Sequence, residues 1–460
     1  MELSEIDLSL LWFTDVDYIR SVIRKVFGYY AGKLRNFCRY FQGALAISMN
    51  FLLRSWLISL LDNIWLHKYL QKDSLIDIEA LQNISVCGIP ENDNVRDICW
   101  KILLEYLPPE KSHWESELTK NRDLYNEYLY EMIIKPTAKS SFNKSPEHDS
   151  DELEREAVNL YNKEIATLMQ IDKDCRRLFP DYAFFQNQNY YSPEILINSH
   201  VEYKTLRERV AESVLASLNL DESDMIDARE ILQKEDSEYV TLPDGQEAHW
   251  EVVERILFLY AKLNVGNGYV QGMNELAGPI YYVCATSSHE DSRQNAEADA
   301  FFCFLKLMSQ VRDNYSKLLD NSRLGISSEM SAVLNIIKSY DVALHGELER
   351  QGVHPLFYLF RWLTLLLSQE FTLPDLLRIW DILFGNTLKI KYIHYVCAAM
   401  IVLKRKLIMQ GDFQISLKAL QSNEDSLDAI LRTSELIYKH TTRKENEKTL
   451  LSRLVKVFRM

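Results

Sequence analysis

Asp174 and Arg177 stand three residues apart near the end of a helical pattern, a spacing at which a carboxylate can orient a guanidinium on one helical face. Pro180 stops that helix soon afterwards, which leaves Arg177 near an exposed end. A guanidinium so placed can be offered to an anion on another molecule. The plain alternative is a surface ion pair, which is worth little to stability. A second cluster, Tyr269-Val270-Gln271-Gly272-Met273-Asn274, follows the loop Asn264-Val265-Gly266-Asn267-Gly268. Glycines at 266, 268 and 272 let backbone come close to another molecule, and an amide presented there can orient a water. A loop-to-helix cap explains the same residues equally well. The third cluster is Gly88-Ile89-Pro90 with Arg96 and Trp100 after it: a fixed turn, then a cation and an aromatic ring one helical turn apart. By itself that reads as a helix start with a cation stacked on a ring.

Self-contained catalysis finds little support. There is no G-x-x-x-x-G-K-[ST] phosphate loop and no G-x-S-x-G nucleophile elbow, and Gly266, Gly268 and Gly272 do not match G-x-G-x-x-G. The ten histidines are scattered without H-E-x-x-H, and the seven cysteines contain no C-x-x-C, so neither a metal site nor a secreted disulfide framework is indicated. A formal charge of −14 argues against nucleic acid, whose phosphates call for a basic face.

The elements that must position these clusters are helical. Apolar residues recur at three- and four-residue spacing over 95–107, 114–134, 153–177 and 247–264, and again over 296–315, 329–350, 355–368, 374–384, 392–409 and 426–440. Alternating strand patterns are nearly absent, so the expected fold is all-α, a two-lobed helical domain. With 47% hydrophobic and 26% charged residues among 460, the chain has the composition of an ordinary globular protein. Residues 1–75, rich in aromatic and basic side chains, read as a divergent extension of unreadable role. Its most apolar stretch, 43–61, carries Arg54 near the middle, and a central arginine costs about 2.5–3.5 kcal/mol in a membrane span, so a packed or interfacial helix is preferred. Residues 76–440 form the domain, with polar insertions near 136–151 and 221–238. The tail, 441–460, sets Leu450, Leu451, Leu454 and Phe458 on one helical face and Arg453, Lys456 and Arg459 near another. Such a helix either packs on its predecessor, the preferred reading, or touches an anionic membrane. The first residues lack the pattern of a secretory signal, so the expected location is cytoplasmic, with peripheral contact on endomembranes.

Taken together, the clusters resemble the TBC family of Rab GTPase activators. Gly88 to Trp100 matches its Gly-Ile-Pro, Arg and Trp opening, Ile171 to Arg177 its Ile-x-x-Asp-x-x-Arg box, and Tyr269 to Asn274 its Tyr-x-Gln-Gly-Met-Asn box. The later box stands as Arg378, Ile379, Trp380 and Asp381, and the resemblance covers roughly residues 80 to 440. It implies a two-lobed helical TBC domain that stimulates GTP hydrolysis on a GTP-bound Rab-family partner. Arg177 would then be an arginine finger entering the partner's site in trans, and Gln271 would supply the water-orienting amide. Asp174 would hold Arg177, and Tyr269 would shape the loop with Gly272 and Asn274. Arg96, Trp100, Arg378, Trp380 and Asp381 would support them. Mg²⁺ and GTP would sit on the partner, leaving this chain no cofactor or metal of its own. Box spacing prefers Arg177 to its neighbour Arg176. The competing readings are a non-catalytic Rab-binding module and a helical scaffold, neither of which needs Arg177 and Gln271.

Overall fold

The chain divides into two units, Met1–Lys68 and Tyr69–Met460. The computed structural model describes residues 75–89, 95–134, 150–193, 196, 206, 209, 242, 246–315, 325–422 and 424–458, all in the second unit, with backbone alone for 150–161 and 445–458. The expected N-terminal extension and the polar stretches near 136–151 and 221–238 fall almost wholly outside these residues.

What is described is helical apart from one antiparallel pair of two-residue strands, β1 (Gln188–Asn189) and β2 (Glu247–Ala248), and an isolated bridge between Leu75 and Glu110. The first helices are α1 (Ile78–Ser85), α2 (Arg96–Leu103), α3 (Trp114–Leu129) and α4 (Ser150–Arg176). They are followed by α5 (His249–Leu263), α6 (Asn274–Ala285), α7 (Glu290–Gln294) and α8 (Ala296–Val311). A second run comprises α9 (Ile326–Tyr340), α10 (Val342–Gln351), α11 (Leu359–Thr364) and α12 (Leu373–Gly385). It ends with α13 (Ile393–Leu403), α14 (Arg405–Gln410), α15 (Phe413–Gln421) and α16 (Leu427–Phe458).

Local chemistry sets several of these ends. Asp77, Asp341 and Asp412 each accept a backbone N–H three residues on, capping α1, α10 and α15. Gly352, at φ +70°, closes α10 in the left-handed conformation that suits glycine.

Two groups of helices result, each around a buried member. Helix α5, buried from Trp250 to Tyr260, packs on α4, α6 and α8. Helix α13, buried on nearly every side, packs on α9, α11 and α16. A helix buried nearly all round belongs in a core, and these two supply one core each. Helix α12 lies on α1 and α2.

Four of the expected helices come out differently. The stretch 329–350 breaks at Asp341, which ends α9 and caps α10. The stretch 247–264 begins as a strand, because Glu247 and Ala248 pair with Asn189 and Gln188 before α5 starts. The stretch 355–368 is a 3₁₀ turn, Pro355–Phe357, then α11, then Leu366 and Leu367 at φ +47° and +68°. The stretch 392–409 breaks between α13 and α14 at Lys404, whose buried ammonium reaches Asp425 at 2.9 Å. At the far end, the backbone of α16 runs without a break through residue 441, where the sequence suggests a boundary.

Candidate functional site

Helix α4 turns Leu168, Ile171 and Cys175 fully inward and ends at Arg176. Arg177 is the first residue past the helix and is exposed. The next residues lock it in place. Leu178 is fully buried against α6, so close to Gly278 that a Cβ there would stand 2.9 Å from Leu178 Cδ2. Phe179 turns the chain at φ +43° and stacks on Phe185 with ring centres 5.6 Å apart.

Gln271 is exposed in the turn that leads into α6. Gly272 follows at φ +97°, and a side chain at that residue would come within 2.6 Å of Leu365 Cδ2, so both backbone and space call for glycine. The turn is closed by Met273 N–H to Val270 O at 3.1 Å and Glu275 N–H to Gly272 O at 3.0 Å. Fully buried Met273 anchors it, its Sδ accepting from Val270 N–H at 3.4 Å.

Asp174 ties the two segments together. The Tyr269 hydroxyl donates to Asp174 Oδ2 at 2.6 Å, and Asn274 Nδ2 donates to the Asp174 carbonyl at 3.0 Å. Gln170, one turn back on α4, donates to both carboxylate oxygens at 3.2 Å. Burial pushes the Tyr269 hydroxyl well above its usual range, with Cys175 and Asp174 adding to it, so it stays protonated and donates. Burial also pushes the Glu275 carboxyl, on the first turn of α6, up to about 7, opposed by the Gln369 amide and helped by Asp174.

Asp174 therefore does not hold Arg177 as the sequence suggests. Its oxygens face the Gln271 loop, and Arg177 makes no hydrogen bond or ion pair with the described residues. The neighbour is placed quite differently. Arg176 is part-buried, paired with Asp172 at 2.9 Å and set 5.2 Å from the Trp250 ring centre, and its carbonyl accepts from Gln186 at 3.1 Å.

The other motif residues meet elsewhere. Asp381 on α12 is fully buried and receives Arg96 Nε at 3.1 Å, Trp100 Nε1 at 2.8 Å and Ile89 N–H at 2.9 Å. Arg96 Nη2 also donates to the Ile89 carbonyl at 2.8 Å. Burial pushes the Asp381 carboxyl up to about 6 against the pull of Arg96, Trp100 and Ile89, and the ion pair keeps it charged at neutral pH. Trp380 is sealed beside it, its Nε1 donating to Leu366 O at 3.1 Å and its ring 5.9 Å from Trp100. Arg378 leaves this cluster for the surface, where Nη1 meets Asp428 at 2.8 Å, and its aliphatic stem covers Gly88.

The structure thus joins Arg177, Gln271, Asp174, Tyr269, Gly272 and Asn274 in one place and Arg96, Trp100, Trp380 and Asp381 in another. Residues missed by the sequence reading are Gln170, Leu178, Gly278, Glu275 and Leu365. The four-residue spacing of Gln170 and Asp174 was a usable signal. The contacts of Leu178 and Leu365 cross between elements and left none.

Residues 229–409 match the model of the Rab-GTPase-TBC domain. The chain is 44% identical over 363 residues to human TBC1 domain family member 13, covering 76% of this chain and 91% of that protein. Its mouse counterpart is 44% identical over 367 residues, with the same coverage. A TBC domain-containing protein of Schizosaccharomyces pombe is 31% identical over 451 aligned residues, covering 82% of this chain and 73% of that protein. Among solved structures, the Ypt/Rab-GAP domain of Gyp1p superposes with a TM-score of 0.56 at 20% identity, over 84% of this chain and 99% of that domain, a likeness of fold.

Proposed function

Because the chain belongs to the TBC-domain family of Rab GTPase activators, we propose that it stimulates GTP hydrolysis on a Rab-family GTPase by lending Arg177 and Gln271 to the partner's active site in trans. Phosphoryl transfer to water needs little covalent help. It needs the water positioned and the charge spreading over the phosphoryl oxygens neutralised. An exposed guanidinium free of partners among the described residues suits the second task, and an exposed amide on a glycine-shaped turn suits the first. Mg²⁺ and GTP belong to the GTPase.

The observation that carries this reading is the double tie on Asp174. Tyr269 and Asn274 reach across 95 and 100 residues of sequence to hold the Gln271 turn against the end of α4. Held so, the two exposed side chains approach a common target with little ordering left to do on binding. Acting on GTP-loaded Rab proteins, the chain would regulate vesicle traffic from the cytoplasm or the surface of endomembranes. No described helix is long and apolar enough to cross a membrane.

Single-turnover GTP hydrolysis across a panel of Rab GTPases tests the proposal. The expected result is strong acceleration of at least one of them by the wild-type chain and little by Arg177→Ala or Gln271→Ala. Equal acceleration by Arg177→Ala would replace catalysis in trans with the non-catalytic binding or scaffolding reading.

A further inference from the structure

Apolar side chains stand in solvent on both segments that meet at the Gln271 turn. On the loop leading into it, Val265 is 75% exposed, and a Cβ at Gly266 or Gly268 would meet no atom within 4 Å. On the far side, Leu365 at the end of α11 is the residue that presses on Gly272. Upstream in that segment Phe357 is 51% and Phe360 44% exposed, while Tyr358, Leu359 and Trp362 between and after them are buried. The inward residues therefore fix the segment and turn the two phenylalanines outward. Phe357 continues the surface to exposed Phe413, ring centres 6.4 Å apart.

Single exposed apolar residues are ordinary, but a group of them beside a functional turn marks either a protein partner or a membrane. The surrounding charge separates the two. Arg361, next to Phe360, is taken by Glu370 at 2.7 Å and Arg350 by Glu347 at 2.5 Å, which leaves Lys418, beyond Phe413 on α15, as the exposed cation on that helix. An anionic bilayer asks for uncommitted cations around the apolar residues, and a chain of net charge −14 is repelled from it. A protein face has no such requirement.

We propose that Val265, Phe357 and Phe360 form an apolar docking surface flanking the Gln271 turn, which seats a complementary apolar face of the GTPase that receives Gln271. The inference rests on the activator reading and deepens it, because it makes these side chains determinants of which GTPase is accepted. Docking residues act on affinity, whereas the fingers act on the chemical step.

The experiment measures kcat and KM for activation of the accepted Rab, together with its affinity when loaded with a non-hydrolysable GTP analogue. The variants are Phe357→Ser/Phe360→Ser, Val265→Ser and Phe360→Leu. The double serine variant should raise KM and Kd by about tenfold or more with a smaller change in kcat, Val265→Ser should do so less, and Phe360→Leu should stay near wild type. Val265→Ser decides the matter if the double variant fails to fold, since nothing packs around that loop tip. Unchanged KM and Kd with an intact unfolding transition overturn the docking surface and leave the finger assignment standing. Tenfold weaker binding with Arg177→Ala still fully active keeps the docking surface and removes the fingers. Absence of any Rab binding by the wild-type chain removes both. Co-sedimentation with phosphatidylserine vesicles that depends on Phe357 and Phe360 overturns the proposal in favour of a membrane.

Discussion

Arg177 and Gln271 end in solvent, while Asp381, Arg96 and Trp100 are sealed from it, although all five stand in motif boxes of the same domain. The buried set is saturated: Asp381 receives an arginine, an indole and a backbone N–H, and the freed Ile89 carbonyl takes the same arginine. It joins the turn before α2 to α12 across 292 residues. The exposed pair has its backbone secured and its side-chain ends unused among the described residues. A group already satisfied inside its own protein has little to offer a partner, and one that must meet a partner is best held by its neighbours. The contrast divides the boxes into residues that hold the fold and residues left exposed, to which the proposed action on a partner is assigned.

Substitutions can break that contrast from either side. Arg177→Ala should lower stimulated hydrolysis by about 10³–10⁵ and leave the unfolding transition nearly unchanged, which single-turnover assays and thermal melts would report. Gln271→Ala should also remove most acceleration, and the double variant should fall short of additivity because both side chains serve one transition state. A melt that collapses in Arg177→Ala would move that residue into the holding class.

Asp381→Ala should do the reverse. It strands the Arg96 guanidinium in a buried site and is expected to cost about 3–5 kcal/mol in chemical denaturation, with activity surviving per folded molecule. Arg176→Ala falls between. The loss of its Asp172 pair and Trp250 contact should cost about 1–3 kcal/mol of stability, with the rate on the Rab reduced far less than in Arg177→Ala. Tyr269→Phe sharpens the comparison at its edge. Removing the hydroxyl from Asp174 should cost about 1–2 kcal/mol and lower activation partially, since Asn274 still ties the loop.

The smallest expected effect is on pH. The Glu275 carboxyl is raised in the folded state to about 7, so its contribution to stability is complete below its ordinary range and is lost as pH rises through 7. Melting temperatures of wild type and Glu275→Gln should draw apart as pH rises from 4.5 to about 7 and run parallel above it, and curves parallel over the whole range would show that folding does not raise the carboxyl.

Much of this was legible in the sequence for identifiable reasons. Helices α2, α4, α5, α8 and α12 show in apolar periodicity because each packs one face or more against a core, and burial selects residue type at every turn. The glycine at 272 announces a close approach that the φ of +97° and Leu365 then explain. The breaks at 355–368 and at Lys404 were not legible, because left-handed leucines and a buried lysine reaching Asp425 are set by what packs across from them.

By itself the sequence determined the helical class and the boxes in their order, since these depend on residue type and local spacing. Tertiary structure alone decided that Asp174 turns to Tyr269 and Asn274 rather than to Arg177, and that Arg176 is set against the Trp250 ring. It also separated the Asp381 cluster from the exposed pair. Partner choice of this kind is a competition among donors brought together from distant parts of the chain. Geometry and burial settle it where sequence spacing cannot, because a carboxylate on a helix end has several candidates within reach and takes the ones that the packing delivers.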